Sequence, residues 1–113
     1  MKILLTGLLG VVMMCPALAQ NVLERAGLDA SAPATVAYAF RKLSTSYSGA
    51  AIQVRRSSDN NIQDIGFDAN GELDSMALKT FAGSSDAFIS TWYDQSGNAN
   101  NLTQAALNSQ PRI

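Results

Sequence analysis

The sequence has no histidine. That excludes Ser-His-Asp and Cys-His nucleophilic catalysis, His-ligated zinc and an imidazole general base. It has one cysteine, Cys15, so no internal disulfide can form. Basic residues are not in excess. Eight Lys and Arg face nine Asp and Glu, a net charge of -1. Such a chain generates no positive field to hold a phosphate backbone, so nucleic acid is excluded as the expected partner. At 113 residues the length admits one small domain at most. The sequence also lacks a hydrophobic run long enough to span a bilayer. The apolar stretch from Ile3 to Met14 reaches ~18 Å as a helix, against a hydrocarbon core of ~30 Å.

That stretch reads instead as the core of a secretory signal peptide. Lys2 supplies the positive start, and Ala17-Leu18-Ala19 is a small-x-small cleavage site. The expected organisation is a signal peptide over 1–19 and one domain over 20–113, secreted or periplasmic and free of the membrane once cleaved. The rival, lipidation at Cys15, would need a small residue where Met14 stands. Cleavage removes Cys15, although the oxidising compartment would permit a disulfide.

In the remaining chain, Val36, Ala39, Phe40, Leu43 and Tyr47 fall on one helical face, which predicts a helix over 36–47. Ala51 to Arg56 alternates like a half-buried strand, and Ile62 to Phe67 can pair back on it as a hairpin. A second helix is expected from Ser75 to Ala82, capped by Asp74 and ended by Gly83. Ala87 to Tyr93 is the best strand. Simple alternation puts Phe88, Ser90 and Trp92 on one face and Ile89, Thr91 and Tyr93 on the other, as in a strand buried on both sides. From Ser96 onward the chain reads as loop.

Four local patterns bear on chemistry. Asp68 to Asp74 resembles part of a calcium loop, but positions one and twelve would be Gly66 and Ala77, so a turn with a helix cap is the better reading and no metal is expected. Arg55 and Arg56 end a strand. Arg55 could hold a carboxylate or sugar hydroxyls, but the favoured reading pairs one arginine with an acid such as Asp94 and leaves the other in solvent. Trp92-Tyr93-Asp94-Gln95-Ser96-Gly97-Asn98 carries aromatic faces beside amide and carboxylate groups. Trp92, Tyr93, Asp94, Gln95, Asn98 and Arg55 are therefore the candidate saccharide contacts. The competing reading is a corner in which Asp94 and Asn98 satisfy backbone amides. Asn101-Leu102-Thr103 is a glycosylation sequon.

Glycoside hydrolysis needs two carboxylates across the scissile bond, ~5–5.5 Å apart for retention or ~6.5–9.5 Å for inversion. Most acids here fall in turns or caps. Asp94 alone abuts an apolar strand that could raise its pKa. No catalytic pair is expected.

Three blocks, AYAFRKLSTSY, SGAAIQVRRSSDN and TWYDQSGNANNLTQA, together resemble the N-terminal part of the alpha-L-arabinofuranosidase B catalytic-domain family. The resemblance implies a concanavalin-like β-sandwich; taken with the two short helices read from the residue pattern, the expected fold is mainly β, a concanavalin-like jelly-roll β-sandwich that is incomplete here. It implies retaining hydrolysis of terminal arabinofuranosyl groups on hemicellulose, with an arabinose-bearing polysaccharide or oligosaccharide as partner and no cofactor. The family's nucleophile and acid/base belong to its later part, so no catalytic residue is matched, and the isolated chain is expected to be inactive. The alternative is a non-catalytic carbohydrate-binding or adhesion module.

Overall fold

The computed structural model describes residues 22–28 and 32–113. The expected signal peptide lies outside them. The element order is helix α1 (Val22–Arg25), strands β1 (Ile52–Arg56) and β2 (Ile62–Ile65), helix α2 (Ser75–Ala82), strands β3 (Ala87–Trp92) and β4 (Leu102–Thr103), and a 3-10 turn at Leu107–Ser109. The fold is thus mainly antiparallel sheet with two short α-helices. Among the described residues, no helix is long and apolar enough to cross a membrane.

The sheet order is β2-β1-β3-β4, all antiparallel. The expected hairpin is present, with Ile52 opposite Ile65 and Arg55 opposite Ile62. One face of the sheet carries the core, built from Ile52, Val54, Ile65, Ala87 and Ile89 with Phe81 of α2 packed on them. The second expected helix forms where predicted. Asp74 accepts from the Ala77 amide at 2.9 Å, and Leu73 and Leu78 on either side of the cap pack on the core. Gly83 follows at φ +61°, a conformation that a Cβ would strain. Replacing Asp74 with Ala orphans a first-turn amide. The expected cost is about 1 kcal/mol, read as a lower urea midpoint in the full chain.

Beyond Ser96, where loop was expected, β4 and the 3-10 turn form, and two further expectations fail for identifiable reasons. Residues 36–47 form no helix, despite the helical spacing. The backbone groups that a helix would pair internally are taken from outside. The Ala37 amide donates to Asp94, the Lys42 amide to the Gly71 carbonyl at 2.7 Å, and the Leu43 amide to Gln95. The segment is an extended strap tied to its neighbours.

The second failure is the face of Trp92. Gln53 pairs with Thr91 but Val54 pairs with Ile89, so Ser90 is an extra residue on β3. This bulge returns Trp92 to the core face, opposite Ile52, instead of leaving it beside Phe88. β3 is interior to the sheet, but only alternate residues, Ala87, Ile89 and Thr91, are buried; the others are half-buried.

Candidate functional site

The corner after β3 is built from polar side chains facing a backbone that has no ladder of its own. Asp94 is buried and accepts four hydrogen bonds. Oδ1 takes the amides of Ala37 at 2.8 Å and Ser96 at 2.9 Å; Oδ2 takes the Ser96 hydroxyl at 2.7 Å and the Asn100 amide at 3.1 Å. Burial pushes its pKa up, but the bonds from Ser96, Ala37 and Asn100 together outweigh it and hold the carboxyl below its ordinary value. The expectation of a raised pKa is corrected, because the apolar strand beside Asp94 ends in a ring of donors.

Gln95, 2% exposed, works in the same way. Its Oε1 accepts from the Leu43 amide at 2.8 Å, and its Nε2 donates to the carbonyls of Ala39 at 3.1 Å and Arg41 at 2.9 Å. One side-chain amide thus replaces three ladder partners for the strap. Asn98 Nδ2 donates to the carbonyls of Ala34 and Thr35, both at 3.0 Å. Asn101 closes the corner by accepting from the Asp94 amide at 3.0 Å. Asp94, Gln95 and Asn98 therefore stand together, and the corner reading describes their contacts.

Arg55 lies elsewhere. It points to the sheet face opposite the core, buried, with its guanidinium 4.9 Å from the ring centre of its cross-strand neighbour Phe88. It donates to Gln110 Oε1 at 2.7 Å and Asn60 Oδ1 at 2.8 Å. Arg56 forks onto Asp59 and donates to the Phe81 carbonyl at the end of α2. One arginine does pair with an acid, but it is the half-buried Arg56 on the turn acid Asp59; neither meets Asp94, and Arg55, expected in solvent if Arg56 paired, is buried, which corrects the rest of that expectation. The role of Gln110 in anchoring Arg55 left no signal in the sequence, since the two stand 55 residues apart.

The two aromatics also separate. Trp92 packs on the core and stacks on Phe40, ring centres 4.8 Å apart and planes 18° apart. Its buried indole Nε1 has no acceptor among the described residues. Tyr93 lies on the open face, where its hydroxyl donates to Asp64 at 2.8 Å; Gln53 Nε2 donates to the same carboxylate oxygen at 3.2 Å. Burial and the Asp64 carboxylate push the Tyr93 pKa up to about 12.

The remaining carboxylates that the structure describes are held by local contacts. Glu24 accepts from Ser44 and Thr45 in a groove of about 470 Å³ beside the corner. Burial opposes its ionisation, but these donors bring its pKa down to about 2. Asp68 accepts the amides of Asn70 and Glu72 in a tight turn, as the turn reading expects. Glu72 and Asp86 pair with Arg41 and Arg112. Among the described residues, no cluster of three acidic or sulfur ligands could hold a metal.

Comparison with known proteins places this arrangement. The family described as "Alpha-L-arabinofuranosidase B, catalytic" matches residues 28–112, three quarters of the chain. This chain belongs to the alpha-L-arabinofuranosidase B catalytic family. It is similar to the alpha-L-arabinofuranosidases B of Aspergillus niger, at 44% identity over 66 residues, and of Aspergillus oryzae, at 41%. Those matches cover 58% of this chain but 13% of each relative's length. Among solved structures it is similar to an arabinofuranosidase complexed with arabinofuranosyl-alpha-1,2-xylobiose and to a GH54 arabinofuranosidase soaked with a cyclic sulfate inhibitor. In each case the TM-score is 0.57 and the identity 42%, over 62% of this chain and 15% of the other. The residues matched by the arabinofuranosidase B family, 28–112, take in the corner, the strap and the β1–β2 hairpin.

Proposed function

We propose that residues 20–113 supply scaffold to an exported, arabinofuranosidase-type sandwich domain acting on arabinose-bearing hemicellulose, and that Met1 to Ala19 directs the export. The observation that carries the scaffold role is the state of the acids. Each carboxylate that the structure describes accepts hydrogen bonds or pairs with an arginine, most of them in a cap, a turn, an ion pair or the corner, with Glu24 held by Ser44 and Thr45 and Asp64 by Tyr93 and Gln53, and the buried Asp94 is ionised rather than poised to donate a proton. That is the wrong condition for a general acid, which needs a raised pKa. Of the six candidate sugar contacts, Tyr93 fits direct contact best. Its hydroxyl, with Asp64 and Gln53, presents polar atoms on an exposed stretch of sheet. Asp94, Gln95, Asn98 and Arg55 support the saccharide site indirectly, by holding the strap and the last residues in place.

The test is a chromogenic arabinofuranoside incubated with the full chain after export and cleavage. The expected result is no release of chromophore above background. Turnover that disappears in Asp94→Asn under conditions where urea titration shows the variant still folded would overturn the scaffold reading, because it would make Asp94 a reacting group.

A further inference from the structure

The end of the strap, the start of β1 and the turn after β2 meet at a second groove. Its volume of about 390 Å³ falls in the ~300–1,000 Å³ range of small-ligand sites. Tyr47 lines both this groove and the one of about 470 Å³ beside the corner. Its ring is pinned. The hydroxyl donates to the Ala50 carbonyl at 2.7 Å, and the ring packs on Phe67 with centres 6.4 Å apart and planes 78° apart. Gly49 makes that position possible. A Cβ there would lie 2.5 Å from the Tyr47 hydroxyl oxygen. Its backbone is not left-handed, so room for the ring is what this glycine supplies. With the hydroxyl already engaged, Tyr47 offers the groove a fixed aromatic surface.

Lys42 and Asp68 add charge to the same lining. The Lys42 amide is held by the Gly71 carbonyl, and the side chain is half-buried. Its ammonium has no ion-pair partner among the described residues. Asp68 accepts two turn amides through Oδ1, and Oδ2 has no donor among the described residues. The two charges do not pair with each other. One open donor and one open acceptor therefore flank an aromatic surface, with no net charge between them.

We propose that this groove binds a neutral sugar unit of an arabinose-bearing polysaccharide, with Tyr47 against the C–H face of the ring, Lys42 donating to one hydroxyl and Asp68 Oδ2 accepting from another. The inference rests on the carbohydrate partner proposed above and adds a contact separate from Tyr93, which does not line the groove. Charge decides the ligand class. An anion drawn to Lys42 is opposed by Asp68, and a cation drawn to Asp68 is opposed by Lys42. An apolar occupant strips water from both and gives nothing back. A ring carrying several hydroxyls satisfies both at once.

The experiment titrates the 15N-labelled chain, after export and cleavage, with neutral oligosaccharides from arabinoxylan. Saturable shifts are expected at the amides of Gly49, Gly66 and Asp68 at millimolar sugar. Lys42→Gln removes the donor without touching the backbone and is expected to weaken binding about tenfold. Gly49→Ala pushes the ring out of place and is expected to do the same. Lys79→Gln on α2, outside the groove, makes an equal change of charge and is expected to leave binding unaltered. Four results overturn the proposal: no shift at any amide, shifts confined to Gln53, Asp64 and Tyr93, binding indifferent to Lys42→Gln, or glucuronate bound more tightly than the neutral sugar. The second of these leaves the carbohydrate partner standing and moves it to Tyr93. Arabinose release is read separately, so binding here by a chain that also releases arabinose keeps the groove and removes the scaffold reading.

Discussion

Asp94→Ala is expected to destabilise the full chain by about 3–5 kcal/mol, the largest effect of any polar substitution here. Four donors, the amides of Ala37, Ser96 and Asn100 and the Ser96 hydroxyl, lose their acceptor at once. The amides cannot turn away, because the strap and the corner are held on both sides. Asp94→Asn separates charge from geometry. It can keep the oxygen facing Ala37 and Ser96, but it sets an amide nitrogen against the Asn100 amide, so roughly half the loss is expected. Urea titration of the three proteins checks this order. The pH dependence has a definite sign. The folded pKa of Asp94 is depressed, as is that of Glu24, which falls to about 2. Their contribution is fully present above the unfolded values near pH ~4 and is lost as pH falls through the folded values. Melting temperature should therefore drop between about pH 4 and pH 2, and Asp94→Asn should flatten part of that slope.

The second large effect is expected in the core. Ile52 is fully buried, paired with Ile65 on one side and Trp92 on the other, and sits in the middle of the sheet. Ile52→Ala removes three carbons from a site fixed by two strands, so the cavity cannot collapse easily. A loss of about 2–5 kcal/mol is expected. The indole packed against it also gains room, so the tryptophan emission should move to the red before global unfolding. An unchanged melting curve would show that Ile52 is not the centre of the core.

How much of this was visible beforehand depends on the range of the interactions. The β1–β2 hairpin and the capped helix were legible, because alternation, Asp74 and Gly83 act within a few residues. The strap was not. Its helical spacing is real, but Gln95 reaches it from 52 to 56 residues away and takes the backbone groups that a helix needs. The face of Trp92 was hidden by one bulged residue, Ser90, which resets the alternation without any glycine or proline to announce it. In the corner, the residue types were legible but their targets were not. Amide and carboxylate groups suited to sugar hydroxyls are equally suited to peptide groups, and only the fold decides which lie within reach. Arg55 shows the same ambiguity, since a buried glutamine took the place of the acid it was expected to meet.

The side-chain clasp around the strap has a kinetic consequence. Residues 37–43 have no partners near them in sequence to stabilise an early structure, and apart from contacts of Arg41, Lys42 and Leu43 with Glu72, Gly71 and Leu23 the groups that hold them, the side chains of Asp94 and Gln95, exist only after β3 and the turn behind it are in place. Closing a loop of that length comes before any reward in bonding. The sheet should therefore condense first and the strap dock last, so that in pulse-labelled refolding the Leu43 amide becomes protected after that of Val54.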